Sequence, residues 1–162
     1  MVDAISQGLN RLAEWAMAFL LAAMALVTGL AIVGRFLFSY SLFWSDELTR
    51  FLLIWISFLG MSVGIRRGAH PGIDSLTRAL SPLAARIVLA CAVALSLLFF
   101  AVMVAYGGVL VLRTWPQRSP SMGLRMTVPY LAVPVAGLFM LFHGFALWLR
   151  KGPPLASGGR DG

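Results

Sequence analysis

The stretch Trp44 to Asp74 reads WSDELTRFLLIWISFLGMSVGIRRGAHPGID, and its pattern decides the fold. Asp46, Glu47 and Arg50 stand at one end of an uncharged apolar run. Arg66, Arg67, His70 and Asp74 stand at the other. Phe51 to Ile65 is 15 residues, about 22 Å at the rise of an α-helix, short of the roughly 30 Å of a bilayer core. Starting the helix just after Ser45 lengthens it to about 30 Å. Ser45 then has the chemistry of an N-cap, and Asp46 and Glu47 fall in the first turn, where the helix dipole favours anions. Arg50 follows at i+4 from Asp46 and i+3 from Glu47. Each Asp or Arg at mid-bilayer costs roughly 2.5–3.5 kcal/mol. The charged cluster is therefore expected at the membrane surface, paired with itself or held against another protein.

The rest of the chain extends this reading. Hydrophobic residues make up 60% of the 162 residues, charged residues 12%, and the mean hydropathy is +0.88. Soluble domains carry about 25% charged residues, so the composition is that of a membrane protein. Apolar segments at 15–34, 87–112 and 126–149 join the one at 46–65. The expectation is an all-α integral membrane protein with four transmembrane helices and short interfacial amphipathic helices. Residues 1–151 form its membrane domain, and 152–162, GPPLASGGRDG, form a disordered cytoplasmic tail. The head of the first segment carries Asp3 and Glu14 against Arg11 and lacks the basic start of a signal peptide. It is read as a retained span.

The net charge of +7 does not indicate nucleic-acid binding, because the basic residues are spread over the loops. With four spans both termini share a side. The basic residues favour that side facing the cytoplasm: Arg11, Arg66, Arg67, Arg78, Arg86, Arg150, Lys151 and Arg160 lie there, against Arg35, Arg50, Arg113, Arg118 and Arg125 opposite. Cys91 is alone and forms no internal disulfide. Ala18, Ala22, Ala25 and Gly29 suit either close helix approach or lipid contact. Gly60 and Gly64 make a GxxxG pair suited to helix packing. The aromatic stretch after Arg35 suits the membrane surface. An amphipathic helix is expected over Ser75–Arg86, kinked by Pro82, with Gly107 and Gly108 loosening the end of the third span.

Little here carries reaction chemistry. His70 and Asp74 are only two ligands, where structural zinc takes four. No catalytic triad and no phosphate-cradling loop is visible. No acidic residue interrupts an apolar run, whereas proton-coupled pumps use intramembrane ionisable groups. Small four-helix exporters need a carboxylate inside the first span, and Glu14 precedes it.

The pattern as a whole resembles the small membrane subunit, DctQ-type, of the tripartite ATP-independent periplasmic (TRAP) transporters. The residues are Arg35-Phe36-Leu37-Phe38, then Trp44-Ser45-Asp46-Glu47-Leu48-Thr49-Arg50, Trp55, Phe58-Leu59-Gly60, Arg66-Arg67 and His70 to Asp74. Ser119-Pro120, and Pro134 with Gly137, complete the likeness. Asp46 stands where that family often has glutamate, and Pro71 loosens a helical His70–Asp74 pairing. The resemblance implies a non-catalytic subunit without cofactor or metal in the bacterial inner membrane. Its partners would be a large multi-span permease, a periplasmic solute-binding protein and membrane lipids. The transport it would serve is sodium-driven uptake of organic acids, with this subunit as scaffold. The candidate interface residues are Arg35, Trp44, Asp46, Glu47, Arg50, Trp55, Gly60, Gly64, His70 and Asp74. The alternative is a haem-binding membrane anchor of a redox enzyme, with His70 and His143 as ligands.

Overall fold

The computed structural model describes residues 2–66 and 80–151. Five helices account for most of them: α1 Val2–Leu37, α2 Ser45–Arg66, α3 Pro82–Thr114, α4 Thr127–Tyr130 and α5 Ala132–Lys151. Four helical segments are long and apolar enough to cross a membrane, the short α4 joining α5 in the last of them. The chain is thus a multi-pass, all-α membrane protein.

The helices stand in a row rather than a closed bundle. α1 packs on α2, α2 on α5, and α5 on α3, while α1 touches α5 only slightly. The two inner helices carry most of the buried residues. One core unites Ala13 of α1 with Leu59 and Val63 of α2, and Phe139 of α5 packs against it. The other unites Phe100 of α3 with Ala136 and Met140 of α5, and Phe58 and Ile65 of α2 pack against that. On α5 the buried stripe Ala132, Ala136, Met140, His143 repeats at helical spacing.

Glycines set the α3–α5 distance. A Cβ on Gly107 would stand 3.0 Å from Pro134 Cδ and 3.1 Å from its backbone nitrogen. On Gly137 it would stand 3.0 Å from Val104 Cγ2. Gly107 was expected to loosen the helix end. Instead it is buried and lets α5 approach closely. Gly108 has open space around it. The small-residue stripe Ala18, Ala22, Ala25, Gly29 is exposed, because α1 packs through Ala13, Ala16, Met17 and Leu20 instead.

The helix ends differ from expectation at several points. Ser45 does not cap α2 with its hydroxyl: its Oγ donates to the Leu42 carbonyl at 2.6 Å, and the Trp44 carbonyl accepts the first helical bond, from Leu48 N. Pro82 does not kink a helix but begins one. Ser81 is the N-cap, its Oγ accepting from Ala84 N, and proline suits a first turn where its missing N–H is not needed. The expected amphipathic helix over Ser75–Arg86 is interrupted at Leu80 and Ser81, and residues 75–79 lie outside the described residues. The last span is broken at Leu131 into α4 and α5. Pro134 offers no N–H to the Tyr130 carbonyl, and its ring crowds that carbonyl. At the end of α1, Ser39 takes a left-handed conformation (φ 51°) and the Gly34 carbonyl accepts from both Phe38 N and Tyr40 N.

Candidate functional site

The segment Trp115–Met126, between α3 and α4, is a tight hairpin. Ser119 N donates to the Leu124 carbonyl at 2.8 Å, Gly123 N to the Ser119 carbonyl at 3.1 Å, and Met126 N to the Gln117 carbonyl at 3.0 Å. Leu124 N donates to Ser119 Oγ, and Gly123 supplies the positive φ of 65° that the turn requires. This fold aims two amides, Ser121 N and Met122 N, at Glu47 Oε2, at 2.9 and 3.3 Å. The hydroxyls of Ser119 and Ser121 face the same carboxylate. Glu47 Oε1 is buried and has no hydrogen-bond donor among the described residues.

Two helical turns further along α2, Trp55 Nε1 donates to the Val128 carbonyl at 3.1 Å. That carbonyl is available because the break at Leu131 deprives it of the usual helical partner. Glu47, Phe51, Trp55, Leu59 and Ser62 fall on one side of α2 and face the rest of the subunit. At the opposite end, Ser6 Oγ and His143 Nδ1 share a buried hydrogen bond of 2.9 Å. Asn10 Nδ2 donates to Glu14 Oε1 at 2.8 Å.

The other side of α2 has a different character. Asp46, Arg50, Leu53, Ser57 and Met61 are exposed and lie within about 80° of one another at 100° per residue, with Gly64 in the same strip. Beside that strip an open groove of about 410 Å³ runs between α1 and α2. It is lined by Glu14, Met17, Ala18 and Leu21 from α1 and by Ile56, Gly60, Val63 and Gly64 from α2. Gly60 is in contact with α1, its ideal Cβ standing 3.3 Å from Met17 Cε. Gly64 has nothing within 4 Å, so its smallness is unused within the subunit.

The residues singled out in the sequence thus divide. Glu47 and Trp55 tie α2 to the hairpin and to α4. Trp44 is half-buried and directly precedes α2, its carbonyl accepting from Leu48 N. Asp46 and Arg50 are exposed and make no side-chain hydrogen bond or ion pair among the described residues. Arg35 is exposed in the last turn of α1. His70 and Asp74 lie outside the described residues. Sequence reasoning missed the Ser121 and Met122 amides, which no residue type advertises. It also missed the Ser6–His143 bond, whose partners stand 137 residues apart. Gly137 and Gly144, seven apart on α5, were a readable signal for close packing: Leu97 of α3 lies 3.2 Å from an ideal Cβ on Gly144.

Among the described residues no group of three or more His, Cys, Asp or Glu side chains is placed to hold a metal. The arrangement consists of a braced helix with an exposed strip that runs from charged residues at one end to a small one at the other.

The family described as "Tripartite ATP-independent periplasmic transporters, DctQ component" matches residues 24–151, a range that includes all of α2 to α5 and part of α1. The chain is 33% identical over 98 residues to the C4-dicarboxylate TRAP transporter small permease protein DctQ of Vibrio cholerae, covering 58% of this chain and 42% of that one. It is 30% identical over 123 residues to the protein of the same description from Rhodobacter capsulatus, covering 72% and 54%. It is 36% identical over 69 residues to the sialic acid TRAP transporter permease protein SiaT of Haemophilus influenzae, covering 43% of this chain and 11% of that one. The chain spans about half the length of these two small permease proteins. With the family match extending over the larger part of the chain, this protein belongs to the DctQ component family of the TRAP transporters, as a small membrane subunit.

Proposed function

We propose that this chain is the non-catalytic scaffold subunit of a sodium-driven secondary transporter, and that it binds a large multi-span permease in the bacterial inner membrane. A periplasmic solute-binding protein delivers an organic acid to the pair, and both termini of this subunit face the cytoplasm. Family membership over residues 24–151 carries the reading. The match to SiaT supports the partner: the aligned stretch is 11% of that protein, so a segment similar to this chain sits within a far longer permease. Relatives named for C4-dicarboxylate and sialic acid transport support an organic-acid substrate.

The docking face is the exposed strip of α2, from Asp46 and Arg50 to Gly64, with the α1–α2 groove beside it. Arg35 and Trp44 border its charged end, and His70 and Asp74 follow its other end in sequence. Small residues without internal neighbours favour close approach of a foreign helix. The inward residues Glu47 and Trp55 hold the strip in place.

The test is uptake by cells that lack their own dicarboxylate and sialic acid carriers and express this chain with its permease and binding protein. Sodium-dependent uptake should require all three, and this chain alone in liposomes should pass no solute. Gly64→Leu and Arg50→Gln should each reduce co-purification of the permease. Normal assembly and transport by both Glu47→Gln and Arg50→Gln would remove the role given to the charged end. The haem-anchor alternative finds no support: His143 is fully buried with Nδ1 engaged by Ser6.

A further inference from the structure

The geometry points to the hairpin between α3 and α4 as a docking surface for anionic phospholipid headgroups, held by Arg118 and Arg125. The placement comes first. Between Arg86 and Arg113 the α3 sequence is uncharged for 26 residues, about 39 Å, which matches the roughly 40–45 Å of a bilayer with its headgroups. Arg113, and the hairpin that follows it, therefore stand at headgroup level. Leu112, 75% exposed, is the last apolar residue of the span before Arg113.

The charge arrangement comes second. Arg118 and Arg125 are partners in an antiparallel bridge, so their side chains leave the same face of the hairpin. Like charges directly opposite one another are destabilising. No carboxylate comes within 4.0 Å of the nitrogens of Arg113, Arg118 or Arg125 among the described residues. Glu47, the acid packed against the hairpin, is turned to the Ser121 and Met122 amides instead.

The third observation is that both guanidinium groups are held in place. Arg118 Nη1 donates to the Gly123 carbonyl at 3.0 Å. Arg125 lies over the Trp115 ring, its Cζ 4.0 Å from the centroid. Each arginine has five N–H donors, and these anchors leave most of them open. Two ordered, uncompensated guanidinium forks match phosphate oxygens, and ordering them beforehand lowers the entropy cost of binding. A lipid phosphate suits the surface better than a free anion, because the hairpin directly follows a span whose exposed apolar residues, Leu112 among them, meet acyl chains. Trp115, 56% exposed, has the interfacial character of a headgroup-level residue.

The test is lipid binding to the full chain in detergent, read by native mass spectrometry with dioleoylphosphatidylglycerol and dioleoylphosphatidylcholine as probes. Phosphatidylglycerol should bind more tightly, and more weakly as salt is raised. Arg118→Gln and Arg125→Gln should each weaken it about fivefold, with phosphatidylcholine unchanged. Arg11→Gln, at the opposite end of the row, should change neither. Lysine at both hairpin positions should keep most of the preference, and this pair carries the test if the glutamine double variant melts early. Equal affinity for the two lipids, or full phosphatidylglycerol binding by the glutamine double variant, overturns the proposal. So does displacement of the lipid by equimolar inorganic phosphate, which would make this a free-anion site. Unchanged lipid affinity with lost permease co-purification would make the surface a protein contact and overturn it too.

Discussion

Glu47 illustrates what a single residue here conveys. Its position in the first turn of α2 was legible, because acids favour that end of a helix dipole. Its partners were not, since Ser121 and Met122 lie 74 and 75 residues away and contribute only backbone. Asp46 and Arg50 were grouped with it by spacing, yet the structure turns them to the other side of the helix. Hydrogen bonds to a charged group contribute about 1.5–3 kcal/mol each. Glu47→Ala removes the acceptor of both amides and should therefore lower the unfolding midpoint of the subunit. It should also speed hydrogen exchange at the Ser121 and Met122 amides. Glu47→Gln keeps an acceptor oxygen and should lose less. Ser39 is the opposite case, a non-glycine residue at φ 51° that nothing in its residue type announces. Left-handed backbone costs a non-glycine residue roughly 1–2 kcal/mol, so Ser39→Gly should raise the melting temperature.

At the scale of the element, the existence of the spanning helices was readable from apolar length, and their ends were not. Hydropathy registers the bilayer core but not the turns beyond it, so α1 and α3 run to 36 and 33 residues. The break at Leu131 follows from Pro134, whose consequence depends on where a helix already lies. Gly60 and Gly64 look alike in the sequence, and only the packing separates them. Gly107 gives the sharpest element-scale test. Gly107→Ala places a methyl 3.0–3.1 Å from Pro134 and Val133 atoms, including backbone. Such overpacking costs about 1–3 kcal/mol, and thermal unfolding in detergent should register it. Gly64→Ala, with open space around it, should leave the melting temperature of the isolated subunit unchanged.

The whole molecule is one helix thick across most of its width. α1 and α3, at the ends of the row, turn Trp15, Phe19, Leu26, Leu95, Leu98 and Leu112 outward, all more than half exposed. In a bilayer that surface is covered by lipid or by another subunit. Membrane character and helix number were legible because composition reports them directly. The row was not, because apolar residues on every side of a helix give no sign of which side meets a neighbour. Binding a permease along α2 should stabilise the subunit by mass action. Its melting temperature in detergent should rise when the two are purified together.

The order of contacts along the row has one more consequence. α1 and α2, neighbours in sequence, pack on each other, and so do α3 and α5. The long-range polar ties Glu47–Ser121 and Met122, Trp55–Val128 and Ser6–His143 all cross from the first pair to the second. The protein is thus assembled from two helical hairpins joined along a seam, with its polar ties concentrated on that seam. Each hairpin can enter the membrane as a unit during synthesis, and the seam can close afterwards. A gene cut between the codons for Arg66 and Leu80, with both halves co-expressed, should still yield a paired product that co-purifies through a tag on either half.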